Sequence, residues 1–255
     1  MNRLINGKFV FSLFLAAIPS FSYAKDMIYT IGVQDYENYL PYSQYKNDVY
    51  SGLGKNILDL FAKKKGYVFK YQAYPLKRVD GLFLAGKLDF RFPDNPYWVA
   101  DDKKGLNIKY APILKFTDGV LVLSKNKGRG IDGLKKLGMP LGFTPYQYVD
   151  LIKEGKIQKF ENPGYDGLYQ QVLSGQIDGA YANTRVARYY WGKIKGVSEF
   201  PIVYDPDLPS KTDFHHISSF KYTNIIDEID AFMKDEKNSA AIEELKRIHR
   251  FDQEE

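Results

Sequence analysis

The chain has 255 residues, including 21 tyrosines and 17 phenylalanines, no cysteine and a formal charge of +5. Without cysteine there is no disulfide, thiolate metal site or cysteine nucleophile, and scattered lysines at so small an excess do not form the basic stripe of a nucleic-acid binder. The length suffices for one large or two small domains with cores of their own.

Residues 1–24 read as a secretory leader. Arg3 and Lys8 form a basic start, Phe9 to Ile18 an apolar core, and Ser22-Tyr23-Ala24 a small-x-small cleavage site. An apolar run of about ten residues is too short to span a bilayer of roughly 30 Å as a helix. Cleavage after Ala24 leaves 231 residues that are three charges positive.

Ile28 to Val33 alternates as a strand, and Tyr36 to Ser43 follows as an aromatic, proline-containing loop. Leu53, Ile57, Leu60 and Phe61 share one helical face, closed by Gly66, and Lys63-Lys64-Lys65 complements the dipole at that helix end. Val68 to Tyr71 is a second strand, Arg78 to Ala85 a short helix and Leu88 to Phe92 a third strand. Strand, helix, strand, helix, strand predicts a parallel sheet with covering helices.

Phe92 to Lys109 breaks this rhythm and reads as loop. Gly119 to Leu123 is a buried strand, after which a second series begins. It has strands at 141–143, 157–160 and 177–181 and helices at 147–153, 165–173 and 184–191. Phe214 to Ser219 extends again, and Ile225, Ile229 and Phe232, then Ile242, Leu245 and Ile248, mark two amphipathic C-terminal helices.

One short unit occurs twice. Leu84-Ala85-Gly86-Lys87-Leu88-Asp89-Phe90 returns as Leu173-Ser174-Gly175-Gln176-Ile177-Asp178-Gly179, with Gly and Asp both displaced by 89 positions. Each copy is a helix end, a glycine able to take the left-handed C′ conformation, and an Asp opening a strand. The repeat predicts two similar α/β lobes facing a cleft, the second inserted in the first, with crossings near Phe116–Gly119 and Asp213–His216. Such two-stranded hinges permit closure on a ligand.

Taken together, the leader, Tyr39-Leu40-Pro41-Tyr42-Ser43, the two Gly-x-x-Asp units, Gly119 to Ser124, Leu134-x-x-Leu137-Gly138-x-Pro140-Leu141-Gly142 and the C-terminal helix pair resemble the bacterial periplasmic solute-binding proteins of family 3, the polar amino-acid-binding type. The resemblance covers the mature chain. It implies an α/β, two-lobed, type II periplasmic-binding-protein (Venus-flytrap) fold, with lobe 1 at 25–117 plus 215–255 and lobe 2 at 118–214. It further implies a periplasmic, monomeric protein that captures a small polar solute, such as an amino acid or related molecule, for an ABC permease. The same fold also serves as a sensor docking on a membrane histidine kinase or cyclic-dinucleotide signalling protein, and less often as a dehydratase-like enzyme. No catalytic residue, cofactor, metal or nucleic-acid partner is expected; His215 and His216 are adjacent in a strand and face opposite sides.

In family members that bind α-amino acids, a Thr-x-x-Arg element supplies an arginine that grips the carboxylate. Here the stretch reads Asn95-Pro96-Tyr97-Trp98-Val99-Ala100-Asp101-Asp102, and the family's ammonium-binding aspartate falls on Asn183. A standard α-amino acid is therefore one possibility among others. Arg78 and Arg91 are candidate anion grips; Arg91 has a structural alternative in which it pairs with Asp89, two residues before it on the strand, or with Asp94. Tyr39, Tyr42, Tyr97 and Trp98 are candidate aromatic walls, or ordinary loop packing. Thr144-Pro145-Tyr146-Gln147 precedes a helix whose start can bind an anion or simply be capped by Thr144. The candidate ligand-binding set is Tyr39, Tyr42, Arg78, Arg91, Asp94, Trp98, Thr144, Tyr146 and Asn183.

Overall fold

A computed structural model describes residues 27–251. The expected leader at 1–24 lies outside the described residues.

The first series runs β1 (Met27–Gln34), a hairpin of β2 (Gln44–Lys46) and β3 (Val49–Ser51), α1 (Leu53–Lys65), β4 (Tyr67–Tyr74), α2 (Leu76–Leu84) and β5 (Phe90–Asp94). A single long strand, β6 (Lys109–Leu123), leads to β7 (Lys136–Pro140), α3 (Val149–Lys153), β8 (Gln158–Asn162), α4 (Tyr165–Leu173), β9 (Gly179–Asn183) and α5 (Thr184–Tyr189). Then come β10 (Ile202–Tyr204), the long return strand β11 (Lys211–Ser219), α6 (Thr223–Lys234) and α7 (Glu236–Ile248).

The nine-stranded sheet has the order β4-β1-β5-β11-β6-β9-β7-β8, with β10 added beside β6. Two parallel groups, β4-β1-β5 and β9-β7-β8, flank the antiparallel ribbon β11-β6. β6 pairs with β11 from Lys109 to Asp118, then with β9 from Asp118 to Val122. Asp118 is thus the residue at which the strand passes from one group to the other. Together with helices on the sheet faces, this is the two-lobed α/β architecture with two crossing strands.

The repeated unit has a visible physical purpose. Gly86 and Gly175 both adopt left-handed φ (67° and 72°), ending α2 and α4 and turning the chain into a strand. The Asp that follows ties this strand to the next one. Asp89 Oδ2 accepts from the Thr30 N–H and hydroxyl, both at 2.8 Å, and Asp178 Oδ2 accepts from the N–H groups of Lys135 (2.9 Å) and Lys136 (2.7 Å). Packing repeats as well. A Cβ on Gly32 would stand 2.3 Å from Leu88 and 2.8 Å from Val79, and one on Gly138 would stand 2.4 Å from Ile177 and 2.8 Å from Leu168.

Several expected boundaries move. The strand expected at 141–143 lies at Lys136–Pro140. Its residues after Lys136 are fully buried, so it shows no alternation, and Gly142 at φ 89° turns the chain away. The strand expected at 119–123 is the end of a strand of 15 residues. The helix expected at 147–153 is a 3-10 turn (Tyr146–Tyr148) followed by the five-residue α3, and that at 184–191 ends in a π turn at Tyr190–Ile194. Of the three lysines at the end of α1, Lys65 pairs with Glu228 of α6 at 3.0 Å and Lys64 donates to Asn238 of α7. They thus fasten the C-terminal helices as well as facing the helix end.

Candidate functional site

Parallel strands bring their C-terminal ends to one edge, and in open α/β sheets that edge carries the ligand site. Here β1, β5, β7 and β9 end at Gln34, Asp94, Pro140 and Asn183. Their following loops, with α2 and the crossing residues of β6 and β11, enclose a cavity of about 230 Å³. The first strand group contributes Gln34, Tyr39, Leu76, Asp80, Asn95 and the run Tyr97 to Val99. The second contributes Gly142 to Thr144, Tyr146, Gln147 and Tyr181, and the crossing strands supply Phe116, Asp118, Lys211 and Asp213. Seven of the lining residues are aromatic, which makes the wall mainly apolar.

Side chains from the two groups meet across the cavity mouth. The Tyr146 hydroxyl donates to the Tyr97 carbonyl, and Asn38 Nδ2 donates to Asp166 at 3.0 Å. Tyr36 lies against Phe143 at 6.2 Å between ring centroids and edge-on to Tyr165, and Tyr39 is 5.9 Å from Tyr165. The lobes are therefore in contact around the space they enclose.

Of the nine residues singled out by sequence, the structure places Tyr39, Trp98, Thr144 and Tyr146 on the cavity wall. Tyr39 is buried, with its hydroxyl 3.3 Å from His215 Nε2. Thr144 makes no side-chain cap, since the chain enters a 3-10 turn through Pro145 and the N–H groups there are not fanned as in an α-helix start.

The other five lie elsewhere. Tyr42 is packed behind Tyr39, edge-on to His215 and Phe251, and its hydroxyl donates to the Lys115 carbonyl at 2.9 Å. Arg78 is exposed on α2 and lies 5.2 Å from the Tyr74 ring centroid; Leu76 and Asp80 take the cavity-facing side of that helix. Arg91 is buried and donates from Nε to Asp80 Oδ1 at 2.9 Å. Its partner is a carboxylate of α2, neither Asp89 nor Asp94. Asp94 is committed to structure, accepting from Lys103 Nζ and Ser218 Oγ, each at 2.6 Å, and from the Asn95 N–H at 2.7 Å. Asn183 caps α5, accepting from the Val186 N–H at 3.0 Å.

The residue that sequence reading missed is Asp118. It lines the cavity with 8% of its surface exposed, and its Oδ1 is buried without a hydrogen-bond partner. Burial holds its carboxyl up to about 7, with the neighbouring Asn183 amide drawing the other way. Lys211 stands opposite Asp118 in the strand pairing, yet its ammonium lies 5.1 Å from the Tyr97 ring centroid and 3.7 Å from Asp213. His215 brings no charge: burial, then His216 and Arg91, hold it down to about 3, so it is a neutral ring stacked on Phe116 at 4.5 Å. The signal was present in Phe116-Thr117-Asp118-Gly119-Val120, where an aspartate interrupts an apolar strand and must find a partner or water.

No family model matches the chain, and no curated protein matches it. Solved structures do. An ancestral arginine-binding protein bound to arginine superposes with a TM-score of 0.67 at 17% identity, over 87% of this chain and 97% of that one. An arginine third transport system periplasmic binding protein from Legionella pneumophila gives 0.66 at 13% identity, over 88% and 100%. An ABC uptake transporter substrate-binding protein from Streptococcus pneumoniae, with bound histidine, gives 0.68 at 16%, over 87% and 92%. The chain has the fold of these two-lobed amino-acid-binding proteins. Among the described residues, no helix is long and apolar enough to cross a membrane.

Proposed function

We propose that this is a periplasmic solute-binding protein, exported by a leader cleaved after Ala24, that holds a small polar solute between two lobes and delivers it to an ABC permease. Lobe 1 comprises 25–117 plus 215–255 and lobe 2 comprises 118–214, hinged where β6 and β11 cross. The protein acts as a monomer and releases its solute unchanged. The observation that carries this reading is the cavity, lined by strand ends of both groups and bordered by contacts such as Tyr97–Tyr146. A solute seated there contacts both lobes, so it stabilises the closed arrangement by its differential affinity for that state.

The chain has no cysteine, so nitroxides on Lys77→Cys and Lys153→Cys would be the only labels. Both residues are exposed, Lys77 on α2 next to the lining residue Leu76 and Lys153 at the end of α3. Pulsed electron-spin distances are recorded on protein stripped by unfolding and refolding, then after adding the small-molecule filtrate of a cell lysate. The expected result is a shift to shorter distances. An unchanged distribution overturns capture by closure.

A further inference from the structure

We propose that the solute is a small organic cation, an amine or quaternary ammonium compound that need not carry a carboxylate, with its charge held by Asp118 and faced by the rings around it. The inference rests on the solute-binding reading and deepens it.

The charges on the cavity wall decide the sign of the ligand. Among the described residues, three carboxylates line it, from Asp80, Asp118 and Asp213, against one cation, Lys211. Asp80 pairs with Arg91 Nε at 2.9 Å, and Asp213 lies 3.7 Å from Lys211. Asp118 remains, with no ion pair among the described residues and one oxygen buried without a donor. A carboxylate removed from water in this way is costly unless a cation or donor reaches it. The group that completes the site is thus a cation.

The surroundings suit an organic cation. Tyr39 and Tyr181 lie close enough for the Asp118 carboxylate to oppose their ionisation, and Phe116 is two residues away on the same strand. With Trp98, these rings line the same cavity as the carboxylate. An alkylammonium group in such a place gains from ring faces as well as from the charge.

Groups that would hold a ligand carboxylate are turned away. Arg91 is not among the lining residues and gives its Nε to Asp80, its two terminal nitrogens being buried without a hydrogen-bond partner; Arg78 is exposed on α2, and the loop before α3 enters a 3-10 turn. Among the described residues, Lys211 is the only cation on the wall, and it lies 3.7 Å from Asp213 and 5.1 Å from the Tyr97 ring centroid. A site built for a zwitterion pairs groups of both signs with its ligand; this one offers a buried carboxyl with no cation beside it, which an incoming ammonium would ionise and pair.

The test uses matched pairs that differ by one carboxylate: L-lysine with 1,5-diaminopentane, and L-phenylalanine with 2-phenylethylamine, together with choline. Titration calorimetry on the mature protein should show at least one amine or choline binding, and any amine whose parent amino acid also binds should bind at least as tightly. Asp118→Asn, which keeps shape and removes charge, should weaken that binding tenfold or more, and Trp98→Leu should weaken it severalfold. Binding by an amino acid but not by its decarboxylated partner overturns the inference and leaves solute capture standing. Unchanged affinity in Asp118→Asn also overturns it, as does a panel in which nothing binds; the spin-label experiment then judges solute capture separately.

Discussion

The two strand groups are built to one plan and finished differently. Each has a glycine in its first strand under a helix, Gly32 below Val79 and Gly138 below Leu168, a left-handed glycine after that helix, and an Asp that ties two strands together. Beyond the strand starts, the likeness stops. Arg91 and Asp94 of β5 correspond in spacing to Ala180 and Asn183 of β9. In the first group these positions hold buried ions with partners, and in the second a methyl group and a helix cap. Scaffold positions are held by packing and backbone hydrogen bonds, so they repeat; strand ends face the cavity or the crossing and are open to diverge.

The strongest way to break this comparison is at the corresponding ends. Asp94→Ala leaves the buried Lys103 ammonium without its counterion and should cost about 3–5 kcal/mol. Asn183→Ala removes a cap and should cost about 0.5–2 kcal/mol. Denaturant melts of both variants check the order, and equal losses contradict the assignment of an ion hub to one group and a cap to the other. Next come the shared glycines. Gly32→Ala and Gly138→Ala each force a methyl into a filled space and should each cost about 1–3 kcal/mol; a large loss in only one denies the common plan.

A smaller effect sharpens the crossing itself. The folded protein keeps a proton on Asp118 up to about pH 7, whereas the unfolded chain releases it near pH 4. The unfolded state binds fewer protons over that interval, so this group lowers stability as pH rises from about 4 to 7. Asp118→Asn removes the penalty. Its melting temperature relative to wild type, without ligand, should be nearly equal at pH 4 and rise to a plateau above pH 7. A pH-independent difference would mean that the carboxylate is solvated. Smallest of all, Arg78→Ala should change stability by about 0.5 kcal/mol or less, because the side chain is exposed and lies against the Tyr74 ring.

The parts legible in the sequence are those where local chemistry decides. Gly86-x-x-Asp89 and Gly175-x-x-Asp178 marked strand starts because a left-handed turn followed by a hydrogen-bonding carboxylate is a local requirement. β7 is hard to place from sequence because a strand buried on both faces has no period, and Gly142 makes a turn within the stretch that reads as a strand. The partner of Arg91 could not be read, since Asp80 reaches it from a helix packed over the strand rather than from its own strand. Trp98 and Tyr146 were found as aromatics in loops, but Tyr42, one turn of chain from Tyr39, points into the core behind it. Asp118 belongs to no motif; its place in an apolar strand is a signal that it needs a partner, and the assembled neighbourhood shows that one of its oxygens has none.

The most direct measurement is native mass spectrometry of freshly purified wild type and Asp118→Asn side by side, followed by denaturation and identification of what is released. The account predicts one small molecule bearing a cationic nitrogen on the wild type and its loss from the variant. An adduct of equal abundance on both, or none on either, would contradict it.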